Sequence, residues 1–441
     1  MTRPPGALSV TIVSQYFHPD FAATGQLLTE LAVGLRRMGC EVFVCTTQPN
    51  YGPSQRARRY EIFEGVSIRR VFSTRLNKNT FAGRVLNSIT FFASASLLLL
   101  TRPVSGPLIV GSNPPFLGLL GYVLNRARGQ PYIYLVNDVY PDIAVHLGYL
   151  RADGLVRGIW TRLNQLTLRG AGAVVVLGDA MRSIVVKNAG REGTVRQDKF
   201  RIIHNWVDES FIRPMSKTEN WFAAQHALQD KFVVLYAGNM GLAHDLESLI
   251  MAAGQLREKN IVFVFIGDGA KRRKLQEMAA DSRLTNILFL PYQPRPVLPF
   301  LLGCSDVSII AMESGIEGLV MPSKLYTTMA SGRPIVALAE EHLEVSRIIR
   351  GAKCGTCVAP GNVGGLVEVL EHYYRDRETA AQDGRNGRRY CEDHFTLTRA
   401  CREYHRVLEM VHEGRDRPRA ELGGAKRREM DEEGREGTDE R

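Results

Sequence analysis

The residues best placed to do chemistry lie in residues 315–334, Gly-Ile-Glu-Gly-Leu-Val-Met-Pro-Ser-Lys-Leu-Tyr-Thr-Thr-Met-Ala-Ser-Gly-Arg-Pro. A glycine-containing loop runs to Pro322 and Ser323. A helix is predicted over residues 324–331, and Gly332 ends it before a strand. The first turn of a helix has unpaired N–H groups and the positive end of the dipole, so it favours a phosphate. Lys324 adds a full charge there. Taken alone, the stretch reads equally as a capped surface helix with a solvated lysine. Two further turns shift the balance. Tyr236-Ala-Gly238-Asn239-Met-Gly241 and Ile266-Gly267-Asp268-Gly269 each follow a predicted strand and lead into a helix. Glycines at the carboxyl ends of parallel strands let a ligand approach the backbone. Each turn alone is a common connector, but three together point to a nucleotide diphosphate.

The first half offers fewer polar candidates. Thr24-Gly25 opens the first long helix after His18-Pro-Asp20, where a glycine leaves room for a phosphate or sugar. An ordinary strand-to-helix connector is the plainer alternative. Asn137-Asp138 follows the strand at residues 132–136. Asp138 either orients a substrate hydroxyl or caps the turn before Pro141. The chain has no Asp-x-Asp triplet, and His18, Asp20 and His146 have no metal-ligand spacing, so no metal site is expected. Cys354 and Cys357 have redox or zinc spacing without a second pair and read as packing. Residues 271–274, Lys-Arg-Arg-Lys, read as a solvated helix face.

These residues need a scaffold, and the apolar pattern supplies it. Strands are predicted at 10–14, 41–46, 66–71, 108–111, 132–136, 173–177 and 200–203. After a break at residues 204–214, others follow at 232–237, 261–266, 287–290, 307–310, 334–337 and 355–358. Amphipathic helices at 25–38, 245–259, 271–280, 324–331 and 363–375 lie between them. Unbroken apolar strands divided by helices read as parallel sheets covered on both faces. The expected fold is α/β, with two Rossmann-like domains facing a central cleft: residues 1–210 and residues 211–395. A helix at 396–413 and a disordered charged tail at 414–441 complete the chain.

The chain has 441 residues and a net charge of +10. Residues 1–210 hold 24 Lys and Arg against 13 Asp and Glu, so the whole excess lies in the first half. That asymmetry suggests an anionic partner. Nucleic acid is not expected, because no platform interleaves basic and aromatic residues. Residues 54–84 hold Arg56, Arg58, Arg59, Arg69, Arg70, Arg75, Lys78 and Arg84 against Glu61 and Glu64. An uncharged stretch follows at 85–101, at the short limit for a span, and reads as a buried or interfacial helix. Together they predict docking on an anionic membrane surface. No secretory leader is recognisable at residues 1–9, and with an odd cysteine count a cytoplasmic location is expected.

In order along the chain, VSQYFHPDFAATGQLLTELAVGLRRMGCEV, NDVYPDIAVHLGYL, FRIIHNWVDESFIRP, YAGNMG and GLVMPSKLYTTMASGRP resemble family 4 glycosyltransferases. The similarity runs over residues 8–412 and is greatest to the bacterial branch that builds colanic acid, O-antigen and exopolysaccharide. It implies the GT-B fold, with the last helix crossing back to the first domain. It also implies a UDP- or GDP-sugar donor in the second domain and an acceptor in the first. Retention of configuration and no required cofactor or metal are implied too. A polyprenyl-linked saccharide acceptor on the inner face of the plasma membrane follows from the same likeness. By position, Gly238, Asn239 and Gly241 would line the diphosphate, and Gly267, Asp268 and Gly269 the nucleoside. Ser323 and Lys324 would hold the phosphates and Tyr326 would lie along the nucleotide. Thr327 stands where many members bind ribose through Glu, with Glu317 ten residues before it rather than eight. Asn239 and His244 stand where many members carry Arg and Lys. Lys324 and Asp138 are the catalytic candidates. The alternatives are a nucleotide-sugar epimerase on the same fold and a basic nucleic-acid-binding protein.

Overall fold

The computed structural model describes residues 8–20, 22–50, 56–77, 80–190, 195–316 and 318–416. Glu317, Lys78 and tail residues 417–441, about which the sequence raised expectations, lie outside the described residues. The first sheet holds β1 (Ser9–Val13), β2 (Glu41–Thr46), β3 (Tyr60–Phe63), β4 (Val66–Arg70), β5 (Leu108–Gly111), β6 (Tyr132–Leu135), β7 (Ala173–Val176) and β8 (Phe200–Ile202). Their order is β3-β4-β2-β1-β5-β6-β7-β8. Every residue of β1, β5, β6 and β7 is buried, as their unbroken apolar runs require. The sheet is not wholly parallel, because β3 pairs antiparallel with β4 at the edge.

Helices α1 (Ala23–Arg37), α2 (Phe81–Thr101), α3 (Leu117–Arg128), α4 (Asp142–His146), α5 (Leu155–Gly170) and α6 (Asp179–Asn188) complete this domain. Thr80 caps α2 by accepting a hydrogen bond from the Gly83 N–H. One side of α2 buries Phe91, Ala95 and Leu99 in the core, while Leu86, Ile89 and Leu97 face outward. Each fully buried large side chain contributes about 1.5–3 kcal/mol. By length and composition α2 could cross a membrane, yet 33% of its apolar window is buried in the protein. Arg70 departs from the expected basic surface. It is buried, donating to Glu61 Oε2 (2.7 Å) and to the carbonyls of His18 and Arg58.

The second sheet is parallel throughout: β9 (Phe232–Ala237), β10 (Ile261–Ile266), β11 (Ile287–Leu290), β12 (Val307–Ala311), β13 (Ile335–Leu338) and β14 (Gly355–Val358). Its order is β11-β10-β9-β12-β13-β14. Around it lie α7 (Trp221–Gln225), α8 (Glu247–Gln255), α9 (Arg272–Asp281), α10 (Leu298–Gly303), α11 (Lys324–Ala330), α12 (Glu344–Ala352) and α13 (Val363–Arg375). Two helices end the described chain, α14 (Arg377–His394) and α15 (Leu397–Asp416). The last crosses to the first domain and packs on α1, where a Cβ at Gly34 would overlap the Cys401 sulfur. Strand order reverses beside β1 and β5 in one sheet and beside β9 and β12 in the other. Crevices form at the carboxyl ends of such strands.

Candidate active site

The two crevices merge into one cavity of about 1700 Å³ between the domains. On the second-domain side its wall includes Gly238, Asn239, Gly241, His244, Asp268, Gly269, Ser323, Lys324 and Thr327; on the first-domain side it includes Asp138. Lys324 stands at the start of α11. Its Nζ is buried without a hydrogen-bond partner and sits 3.7 Å from the centre of the Tyr236 ring. Loss of water pulls the ammonium from its ordinary value down to about 7. Because α11 has only seven residues and Ser323 makes no side-chain cap, the charge on Lys324 outweighs the short helix dipole. His244 lies alongside. Burial, and secondarily the Lys324 charge, lower its imidazole to about 3, so it is neutral in the cleft.

The two glycine turns hold each other. Met240 N–H donates to the Asp268 carbonyl (2.8 Å), and Gly238 N–H to that of Ile266 (2.8 Å). A Cβ on Gly267 would overlap the Gly238 carbonyl oxygen, and one on Gly269 would lie 2.5 Å from that of Met240. Both residues also have positive φ. Gly267 therefore serves loop-on-loop packing and does not line the cavity, contrary to expectation. Tyr326 is a second correction. Lys324 and Thr327 are three residues apart and share the cleft face of α11, whereas Tyr326 turns the other way. It is fully buried, edge-on to Phe395 at 4.9 Å between ring centres. Gly25 is a third: it sits behind the wall against the Tyr16–Phe17 backbone, while Ala23 and Thr24 face the cavity.

On the opposite wall, Asp138 follows β6. Its backbone N–H donates to Ser112 Oγ (3.1 Å), and burial pushes its carboxyl up to about 6. The next residue spans the domains: Val139 N–H donates to the Leu319 carbonyl at 2.9 Å. Sequence reading missed three charged groups here. Arg272 lines the cavity and donates to the carbonyls of Gly267 and Leu290, so the basic run is not wholly a solvated face. Lys271 is sequestered by Glu313 Oε1 (2.5 Å) and Glu247 Oε2 (2.9 Å). Glu30 on α1 reaches Arg295 of the second domain at 2.5 Å and accepts from Trp206 Nε1 at 3.1 Å. Burial raises its carboxyl to about 7, against the opposing pull of Arg295. Residues 265 apart in sequence give no local signal. Among the described residues no three His, Cys, Asp or Glu gather as a metal site, and Cys354 is a buried free thiol.

Residues 217–390 match the family described as glycosyl transferases group 1, and residues 23–206 match the glycosyl transferase 4-like domain. A probable glycosyltransferase, WbjE of Pseudomonas aeruginosa, is 28% identical over 67% of this chain and 73% of its own. A putative colanic acid biosynthesis glycosyl transferase, WcaI of Escherichia coli K12, is 26% identical over 82% and 90%. Among solved structures, Anabaena HepE in complex with UDP-glucose aligns with a TM-score of 0.69 at 13% identity, over 91% of this chain and 99% of that one.

Proposed function

Because the chain belongs to the group 1 glycosyl transferases and has their GT-B fold, we propose that it transfers a sugar from a nucleotide diphosphate carrier to a lipid-linked saccharide. The observation that carries this reading is Lys324 Nζ, a buried cation without a hydrogen-bond partner facing the glycine turn at Gly238. An ammonium held out of water gains most from a diphosphate, which arrives with charge and leaves with more. Arg272 adds a second cation on the same wall. The leaving phosphate is stabilised there, while Asp138, poised near 6, faces the acceptor hydroxyl from the other wall. Transfer proceeds with retention and needs no metal. HepE's bound UDP-glucose supports a nucleotide-sugar donor, and WcaI's name supports a surface polysaccharide product. Transferase relatives favour transfer over epimerisation.

The proposed place of action is the inner face of the plasma membrane. Exposed Ile62, Phe72, Leu76, Leu86 and Ile89 accompany exposed Arg58, Arg59, Arg75 and Arg84. Basic residues near an anionic leaflet contribute about 1 kcal/mol each. The deciding experiment incubates the protein with UDP-, GDP- and dTDP-sugars, with and without polyprenyl-linked saccharides. Acceptor-dependent release of one nucleotide and a lengthened saccharide is the expected result. A free epimerised sugar formed without acceptor would overturn the reading.

A further inference from the structure

The first-domain wall carries a feature that donor chemistry does not use. Phe116, at the turn between β5 and α3, has φ of +70°, a backbone conformation unfavourable for a bulky residue. The residue is nevertheless 41% exposed and lines the cavity. Such an outlier is strained and persists where its surroundings over-determine it. Here the surroundings are aromatic. Phe116 lies 4.4 Å from Trp160 of α5, and Trp160 stacks on Tyr140 at 5.4 Å with the planes only 9° apart. Asn164 fixes the far end by donating to the Tyr140 carbonyl at 3.0 Å.

Polar groups border this stack. Ser112 Oγ accepts the N–H groups of Asn137 (3.0 Å) and Asp138 (3.1 Å), which ties the turn bearing Phe116 to the turn bearing the carboxylate. Asp138 and Tyr140 both line the cavity. Asn113 lines the same cavity. An aromatic face rimmed by a carboxylate and an amide complements one kind of ligand. A pyranose presents axial C–H groups on one face and hydroxyls around its edge. A bare hydrocarbon chain would leave the polar rim unpaired, at a cost.

We propose that Phe116, backed by Trp160 and Tyr140, is the stacking platform for the pyranose ring of the acceptor, with Asp138 at its hydroxyl edge. This rests on the transferase reading for the word acceptor, but not for the sugar site itself. Tryptophan fluorescence titrations with octyl glycosides of glucose, galactose, mannose and N-acetylglucosamine test it, with octyl tetraethylene glycol as the sugar-free control. At least one glycoside should bind saturably. Phe116→Leu should weaken it at least tenfold, Phe116→Tyr should restore it, and Trp160→Phe should remove most of the signal. Binding unchanged in Phe116→Leu, equal competition by the sugar-free control, or no glycoside binding at all would each overturn the platform. A UDP titration of the same proteins reports on the opposite wall. If UDP fails to bind while glycosides do, the donor reading falls and the platform stands.

Discussion

Replacing Lys324 by Met should make the protein more stable and less able to bind its donor. Met keeps the length and apolar stem of the side chain and removes the charge. The ammonium falls from an ordinary 10.5 to about 7 through desolvation. At 1.36 kcal/mol per pKa unit, holding it charged at pH 7 costs about 4 kcal/mol. The Tyr236 ring face 3.7 Å away returns about 1–2 kcal/mol of this. The variant should therefore gain about 2–3 kcal/mol without ligand, which raises its melting temperature by several degrees. The sign fixes the pH window. A cation whose pKa is lowered on folding binds fewer protons than in the unfolded chain, so wild-type stability rises from about pH 7 to 10.5. The advantage of Met is then greatest at or below pH 7 and disappears near pH 10.5. UDP binding should fall by about 1.5–3 kcal/mol, the size of one charge-assisted contact. Thermal melts at pH 7 and pH 9.5, with and without UDP, read both effects. A variant that melts below wild type at pH 7 and still binds UDP as tightly would refute the reasoning.

Five other outcomes are expected. Wild-type affinity for UDP should decline as pH rises above about 7, with proton uptake on binding near pH 8, seen by calorimetry in buffers of different ionisation enthalpy. Glu30, raised to about 7, binds more protons folded than unfolded between pH 4.5 and 7, so its contribution to stability declines as pH rises through that window. Denaturant melts at pH 5 and 7.5 should show a smaller decline for Glu30→Gln than for wild type. Gly267→Ala forces a Cβ into the Gly238 carbonyl, so urea melts should show a loss of about 3 kcal/mol or more and UDP binding should vanish. Sugar transfer should survive excess chelator, and flotation with anionic vesicles should weaken when Arg58, Arg59, Arg75 and Arg84 become Gln.

What the sequence could reveal depended on whether a residue's partner lies nearby in the chain. Strands β9 and β10 and helix α13 fall where their apolar periods predict, because two-sided burial imprints itself on consecutive residues. Strand β3 went unread because its Tyr-Glu-Ile-Phe alternates exposed and half-buried positions on an edge. Helix α14 also went unread. Its Gly384 and Gly387 read locally as breakers, but they let the helix close on the Gly332 carbonyl and on Cys354. Lys324 was legible because a charge opening a helix after a loop is a local signal. Tyr326 was misjudged by helical phase alone, and the pairing of Glu30 with Arg295 had no local signal at all.

The return of α15 to α1 has a consequence for how the chain is made. Gly34 of α1 lies against Leu397 and Cys401 of α15, and Tyr404 and Leu408 of α15 are completely buried. The first domain leaves the ribosome with part of its covering still unsynthesised, some two hundred residues away. Until residues 397–416 emerge, the face of α1 around Gly34 stays open to water and to chaperones. Shortened chains ending near residue 395 should aggregate during synthesis, and the two lobes should unfold together because one terminal helix buttons both.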